Sequence, residues 1–165
     1  MLVIADTSPL HYLVFIDRPA ILPALFGRVL IPPAVLEELQ RPRTPTPVRV
    51  WMASPPTWLE IRTPSQPLVT STLPLGAGER EAITLAPDLR ADLMLMDDLE
   101  GREEAEHYGL SVMGTLRVLE LAAERGLIDF PTAIAGLQAT SFHLPVSLVP
   151  EMLARDADRK SRPPT

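Results

Sequence analysis

Carboxylates placed where separate parts of the chain can meet carry the chemistry of this sequence. Asp6 stands directly behind the apolar residues 2–5, and Asp97 stands behind residues 93–96 in the run LMLMDD. An aspartate at the end of a buried strand points its charge out of the carboxyl edge of a sheet, where open α/β proteins collect their functional groups. Asp98 is the competing acid at the second position. As the residue after Asp97 it is better placed to cap the following helix, so Asp97 is preferred.

Two glutamates add to the pair through helical geometry. In PPAVLEELQ, Glu38 falls three and four residues after Val35 and Ala34, on the face those residues bury, whereas Glu37 lies to the side. In LGAGEREAITLA, Glu79 precedes Ala82, Ile83 and Ala86 by three, four and seven residues, which turns it inward. Glu81 lies about 200° round the helix from Glu79 and is the second choice there. An acid on a buried face needs a partner or a cation. Asp6, Glu38, Glu79 and Asp97 meeting in one place would repel one another unless a cation stood between them. All-oxygen ligands favour Mg²⁺ or Mn²⁺, and such a site suits phosphodiester hydrolysis. Thr7 and Ser8, beside Asp6, are turn and cap residues that can also support the acids.

The elements that must position these acids follow from alternating patterns. Short apolar segments at 2–5, 28–31, 58–62, 93–96 and 110–113 read as strands. Helical patterns fill the gaps, which is the signature of βαβ units around a parallel sheet of about five strands. Ser8 is expected to cap a helix with Pro9 in its first turn. Pro33 opens another reaching Gln40, and helices follow at 78–86, 101–108, 116–125 (capped by Thr115) and 131–140. Proline is frequent between Arg41 and Pro74, where rigid loops and short elements are expected. Residues 1–154 read as one domain and 155–165 as a frayed, charged tail.

Composition narrows the chemistry. The 165-residue chain has no cysteine, which excludes thiolate metal sites and thiol nucleophiles. A formal charge of -6 argues against a broad basic surface for nucleic acid, although a bound cation reverses the local field. Ser8 lacks a nucleophile-elbow sequence and no phosphate-binding glycine loop follows the first strand. His11, His107 and His143 are scattered, with no pair at metal-ligand spacing. The opening residues lack the features of a signal peptide or membrane span, so a cytoplasmic protein is expected. Arg80, Arg102 and Arg117 are candidates for phosphate contacts near the acids.

The order of the motifs resembles PIN-domain nucleases, particularly the VapC-like prokaryotic toxin group. ADTSPL resembles the family's opening acid motif, IPPAVLEEL its helix-borne glutamate, LGAGEREAI its third acidic motif and LMLMDDLEGR its strand-end aspartate. GLSVMGTLRVLELAAERGLI resembles the segment that follows in one branch of these proteins. The third motif carries Glu79 where many relatives have Asp. The resemblance implies a three-layer α/β/α sandwich, a Mg²⁺- or Mn²⁺-dependent endoribonuclease acting on RNA, and often a small antitoxin protein as partner. It implies Asp6, Glu38, Glu79 and Asp97 as the metal-binding acids, and pairing as a homodimer. The rival expectation, on the acidic charge and sparse Lys and Arg, is a catalytically silent binding or regulatory module on the same fold.

Overall fold

A computed structural model describes residues 1–162. Five short strands form one all-parallel sheet: β1 (Val3–Ala5), β2 (Val29–Ile31), β3 (Leu59–Ile61), β4 (Leu93–Leu95) and β5 (Val112–Met113), in the order β3-β2-β1-β4-β5. Val3, Ile4 and Ala5 pair with Leu93, Met94 and Leu95, and Val3 and Ile4 pair with Val29 and Leu30 on the other side. β1, β2 and β4 are buried throughout, as strands covered on both faces must be. Helices flank the sheet in a PIN-like α/β/α arrangement. All five expected strands are present, each one to two residues shorter than its apolar run.

The chain divides into two compact units, 1–115 and 116–165. In the first, α1 (Thr7–Phe15) and α2 (Ile21–Phe26) join β1 to β2, and α3 (Pro33–Leu39) and α4 (Thr46–Ala53) join β2 to β3. α5 (Ala77–Asp88) leads to β4, and α6 (Leu99–His107) leads to β5. The core under α5 is made by Ile4, Leu30 and Met94 of the sheet against Ala82, Ile83 and Ala86. The alanines let the helix sit close to the strands.

Two expected caps are used differently. α1 begins at Thr7 rather than after Ser8, and Thr115 is the first residue of α7 (Thr115–Glu124) rather than the residue before it. Both hydroxyls bond to Asp97 instead of to a helix terminus. α4 lies inside the stretch read as rigid loops. Pro45 and Pro47 fall at its start, where a missing N–H costs no helical bond, so these prolines open a helix rather than break one.

In the second unit, α8 (Phe130–Gln138) is capped by Asp129, which accepts from Thr132 N at 3.1 Å. α9 (Leu148–Ser161) corrects the expected tail, since 155–161 are helical. The charges read as a sign of fraying are paired: Arg155 with Glu120 at 2.8 Å, and Lys160 with Asp156 and Asp129 at 2.8 and 2.7 Å. The remainder of that expected tail, 163–165, lies outside the described residues. Among the described residues no helix is long and apolar enough to cross a membrane.

Candidate functional site

The sheet order reverses between β1 and β4. From β1 the chain moves outward through β2 and β3, and from β4 it moves outward the other way to β5. Crossover helices diverge at such a point and leave a crevice beyond the strands' carboxyl ends. Asp6 follows β1, and its N–H donates to Leu95 O at 2.9 Å, while Asp97 lies two residues beyond Leu95.

Asp97 is the most tightly held of the acids. Ser8 Oγ donates to its Oδ2 at 2.9 Å, Thr115 N to its Oδ1 at 2.7 Å and Thr115 Oγ1 to its Oδ2 at 2.6 Å. Three donors fix the orientation of this carboxylate. Gly114 makes room for it, because a Cβ there would lie 3.0 Å from Asp97 Oδ1.

Glu38 ties three helices together. Thr7 Oγ1 of α1 donates to its Oε2, and the Gly78 N–H of α5 donates to its Oε1 at 3.0 Å. Its side chain is 17% exposed, while neighbouring Glu37 faces solvent. Gly78 has no room for a side chain: a Cβ would stand 2.7 Å from Glu38 Oε2. Gly78→Ala is therefore expected to displace the carboxylate and lower activity by about tenfold or more. Thermal stability should hold or rise slightly, because alanine favours a helix by about 1 kcal/mol over glycine and only the end of a flexible side chain must move. Activity assays beside a melting curve check this.

Glu79 is half-buried and accepts the Gly76 N–H at 2.5 Å, which is the returning half of a capping box. Burial raises its pKa, and the charges of Asp98, Glu38 and Glu100 push in the same direction against the Gly76 bond. Asp6 lies deepest, at 3% exposure. It occupies the N-cap position of α1 without making a side-chain cap bond, and its Oδ1 is buried with no hydrogen-bond partner. Its pKa is pushed up to about 8, first by burial and then by the negative charges of Glu79, Glu38 and Asp97, with the Thr7 N–H opposing.

The four acids thus share one electrostatic neighbourhood, yet Glu38, Glu79 and Asp97 are each drawn back onto their own donors. Among the described residues no three acidic or histidine side chains stand as close as an assembled metal cluster requires. The orphaned, buried Oδ1 of Asp6 amid three further carboxylates nevertheless suits a hard divalent cation, for which oxygen ligands are preferred. Asp6, Glu38, Glu79 and Asp97 are the residues that would hold it.

The second-choice acids have structural partners. Glu81 accepts the Ala34 N–H at 2.8 Å and so caps α3 from α5, and Asp98 caps α6 by accepting the Gly101 N–H at 2.9 Å. Of the candidate arginines, Arg80 donates to Val69 O at 3.3 Å and Arg117 is paired with Glu120 and Glu124 at 2.7 and 2.8 Å. Arg102 has neither a side-chain hydrogen bond nor an ion pair among the described residues, and its Nη1 would lie 3.2 Å from a Cβ on Gly114. His11 makes tilted ring contacts with Tyr12 and Phe15 on α1 at centroid distances of 4.7 and 6.2 Å. Thr115, expected only as a cap, proves to hold Asp97. Its position just beyond β5 was the available signal, since the residues after every strand face the same edge.

Comparison with known proteins agrees with the fold. The family model DUF3368, described as a PIN domain, matches residues 2–157. A solved PilT N-terminus domain protein from the hyperthermophilic archaeon Sulfolobus solfataricus P2 superposes with a TM-score of 0.51 at 15% identity, covering 87% of this chain and 100% of that one. At that identity the likeness concerns the fold alone. No curated protein sequence matches the chain. With its five-stranded parallel sheet and a family match along nearly its whole length, the chain belongs to the PIN-domain family.

Proposed function

We propose that this chain is a Mg²⁺- or Mn²⁺-dependent endoribonuclease that hydrolyses RNA phosphodiester bonds in the cytoplasm, acting as the toxin of a toxin–antitoxin pair of the VapC-like kind. PIN domains are generally nucleases, and the family membership supports that class of reaction. The observation that carries the reading is the buried, unpartnered Oδ1 of Asp6 in the field of Glu38, Glu79 and Asp97. A small antitoxin protein that blocks the acids, and pairing of two copies, belong to the same proposal.

When bound, a divalent cation supplies charge neutralisation and polarises phosphoryl oxygens. The chain's own groups supply the rest. Ser8 and Thr115 fix the Asp97 carboxylate, and Thr7 and Gly78 fix Glu38, so both arrive oriented. Glu79 leaves the Gly76 N–H in order to join them. Asp6, its pKa raised to about 8, holds a proton at neutral pH and must release it before all four carboxylates serve together.

The test is a panel of labelled single-stranded RNA, single-stranded DNA and duplexes incubated with purified protein in Mn²⁺ or in EDTA. Internal cleavage of the RNA in Mn²⁺ alone is expected. Intact RNA in both would favour the silent binding module, and preferential cutting of DNA would replace the substrate.

A further inference from the structure

The acids are flanked by two arginines, and neither has a strong partner. Arg102 of α6 reaches the Asp97 side: its Nη1 and Asp97 Oδ1 lie 3.2 and 3.0 Å from the same point, the position a Gly114 Cβ would occupy. It nevertheless forms no ion pair with Asp97 among the described residues, and the residue is neither buried nor fully exposed. Arg41, just past α3, comes no nearer to Glu38 Oε1 than 3.9 Å and keeps a 59% exposed side chain. α3 follows β2 and α6 follows β4, and β1 with Asp6 lies between those strands. Neighbouring strands are about 4.8 Å apart, so β2 and β4 lie roughly 10 Å apart with β1 between them.

A cluster of carboxylates repels a polyanion, and a formal charge of -6 gives no general attraction to offset that. Positive charge is needed at the edges of the pocket, where it can meet phosphate without neutralising the acids. Guanidinium suits the task, because its fork of N–H donors matches phosphate oxygens. Resting on the ribonuclease reading above, we propose that Arg102 and Arg41 grip the RNA phosphates on either side of the one to be cut, so that the strand crosses above Asp6 from the β2 flank to the β4 flank. Arg80 and Arg117, already bonded elsewhere, take no part.

Binding separates this inference from the cleavage reading. A fluorescein-labelled single-stranded RNA of mixed sequence is titrated with Asp6→Asn protein, which cannot cut it, and anisotropy is followed across a salt series. Each phosphate contact on a single strand contributes about -0.7 to the slope of log affinity against log salt. Arg102→Gln and Arg41→Gln should each weaken binding about three- to tenfold and each flatten the slope by about 0.7, with Arg102→Lys recovering part of the slope. Arg28→Gln should change neither, because Arg28 precedes β2 at the opposite edge of the sheet and is paired with Glu60. Unchanged slopes in both glutamine variants would overturn the inference even if the parent cuts RNA. Flattened slopes with a parent that does not cut would sustain the grip and remove only the hydrolysis. Absence of RNA binding by the Asp6→Asn protein would overturn the grip.

Discussion

Asp6→Asn is expected to lower RNA cleavage by at least about 100-fold while making the metal-free protein more stable at pH 8. The activity loss follows because an amide cannot supply the anionic oxygen that the buried Oδ1 provides. The stability gain follows from linkage. A carboxyl whose pKa in the folded chain stands at about 8, against an ordinary 3.8, keeps its proton on folding while the unfolded chain gives it up. Its favourable contribution is therefore complete below about 3.8 and is lost as pH rises to about 8, beyond which the folded chain carries the full cost of a buried charge. Asparagine carries no such charge. The gain should be on the order of 2–4 kcal/mol at pH 8, or roughly 4–12 °C in Tm, and should shrink towards pH 4. Melting curves at both pH values check the sign. Equal stability at pH 8 would mean that Asp6 is neither buried nor repelled as described.

The pH dependence of cleavage is the second large effect. Because Asp6 must lose a proton for the four acids to act together, kcat/KM at a limiting Mn²⁺ concentration should rise roughly tenfold per pH unit below about 8 and then level off. Cation and proton compete for the same oxygens, so raising Mn²⁺ should move the midpoint to lower pH. In Glu38→Gln one of the repelling charges is gone, and the metal-free pKa of Asp6 should fall. A rate profile flat from pH 6 to 9 at every Mn²⁺ concentration would contradict this coupling.

How far the sequence foretold the molecule depended on how local each signal was. The strands were legible because burial on both faces demands continuous apolar runs, and MLVIA and LMLM supply them ahead of Asp6 and Asp97. Helical geometry separated Glu38 from Glu37, since Glu38 turns inward to Thr7 and Gly78 while Glu37 faces solvent; the bond from the Ala34 N–H that makes Glu81 a cap for α3 was not legible. What escaped was long-range. Ser8 and Thr115 carry the local mark of helix caps, and only the adjacency of β1, β4 and β5 shows that both hydroxyls belong to Asp97. α9 escaped for a similar reason, since its charges looked like those of a solvated tail until Glu120 and Asp129, distant in sequence, paired with Arg155 and Lys160. The separation of the acids, with Glu38, Glu79 and Asp97 each resting on its own donors, was equally beyond reach, because periodicity reports a face and not a hydrogen-bond partner.

On the function proposed here, Asp6, Glu38, Glu79 and Asp97 jointly bind a divalent cation that replaces the proton on Asp6. Calorimetric titration of Mn²⁺ into the purified protein at pH 7, repeated in two buffers of different ionisation heat, measures the binding and the protons released together. Saturable binding with close to one proton released, and loss of that proton in Asp6→Asn, is the predicted result. Absence of binding at millimolar Mn²⁺, or binding with equal proton release in the parent and in Asp6→Asn, would contradict it.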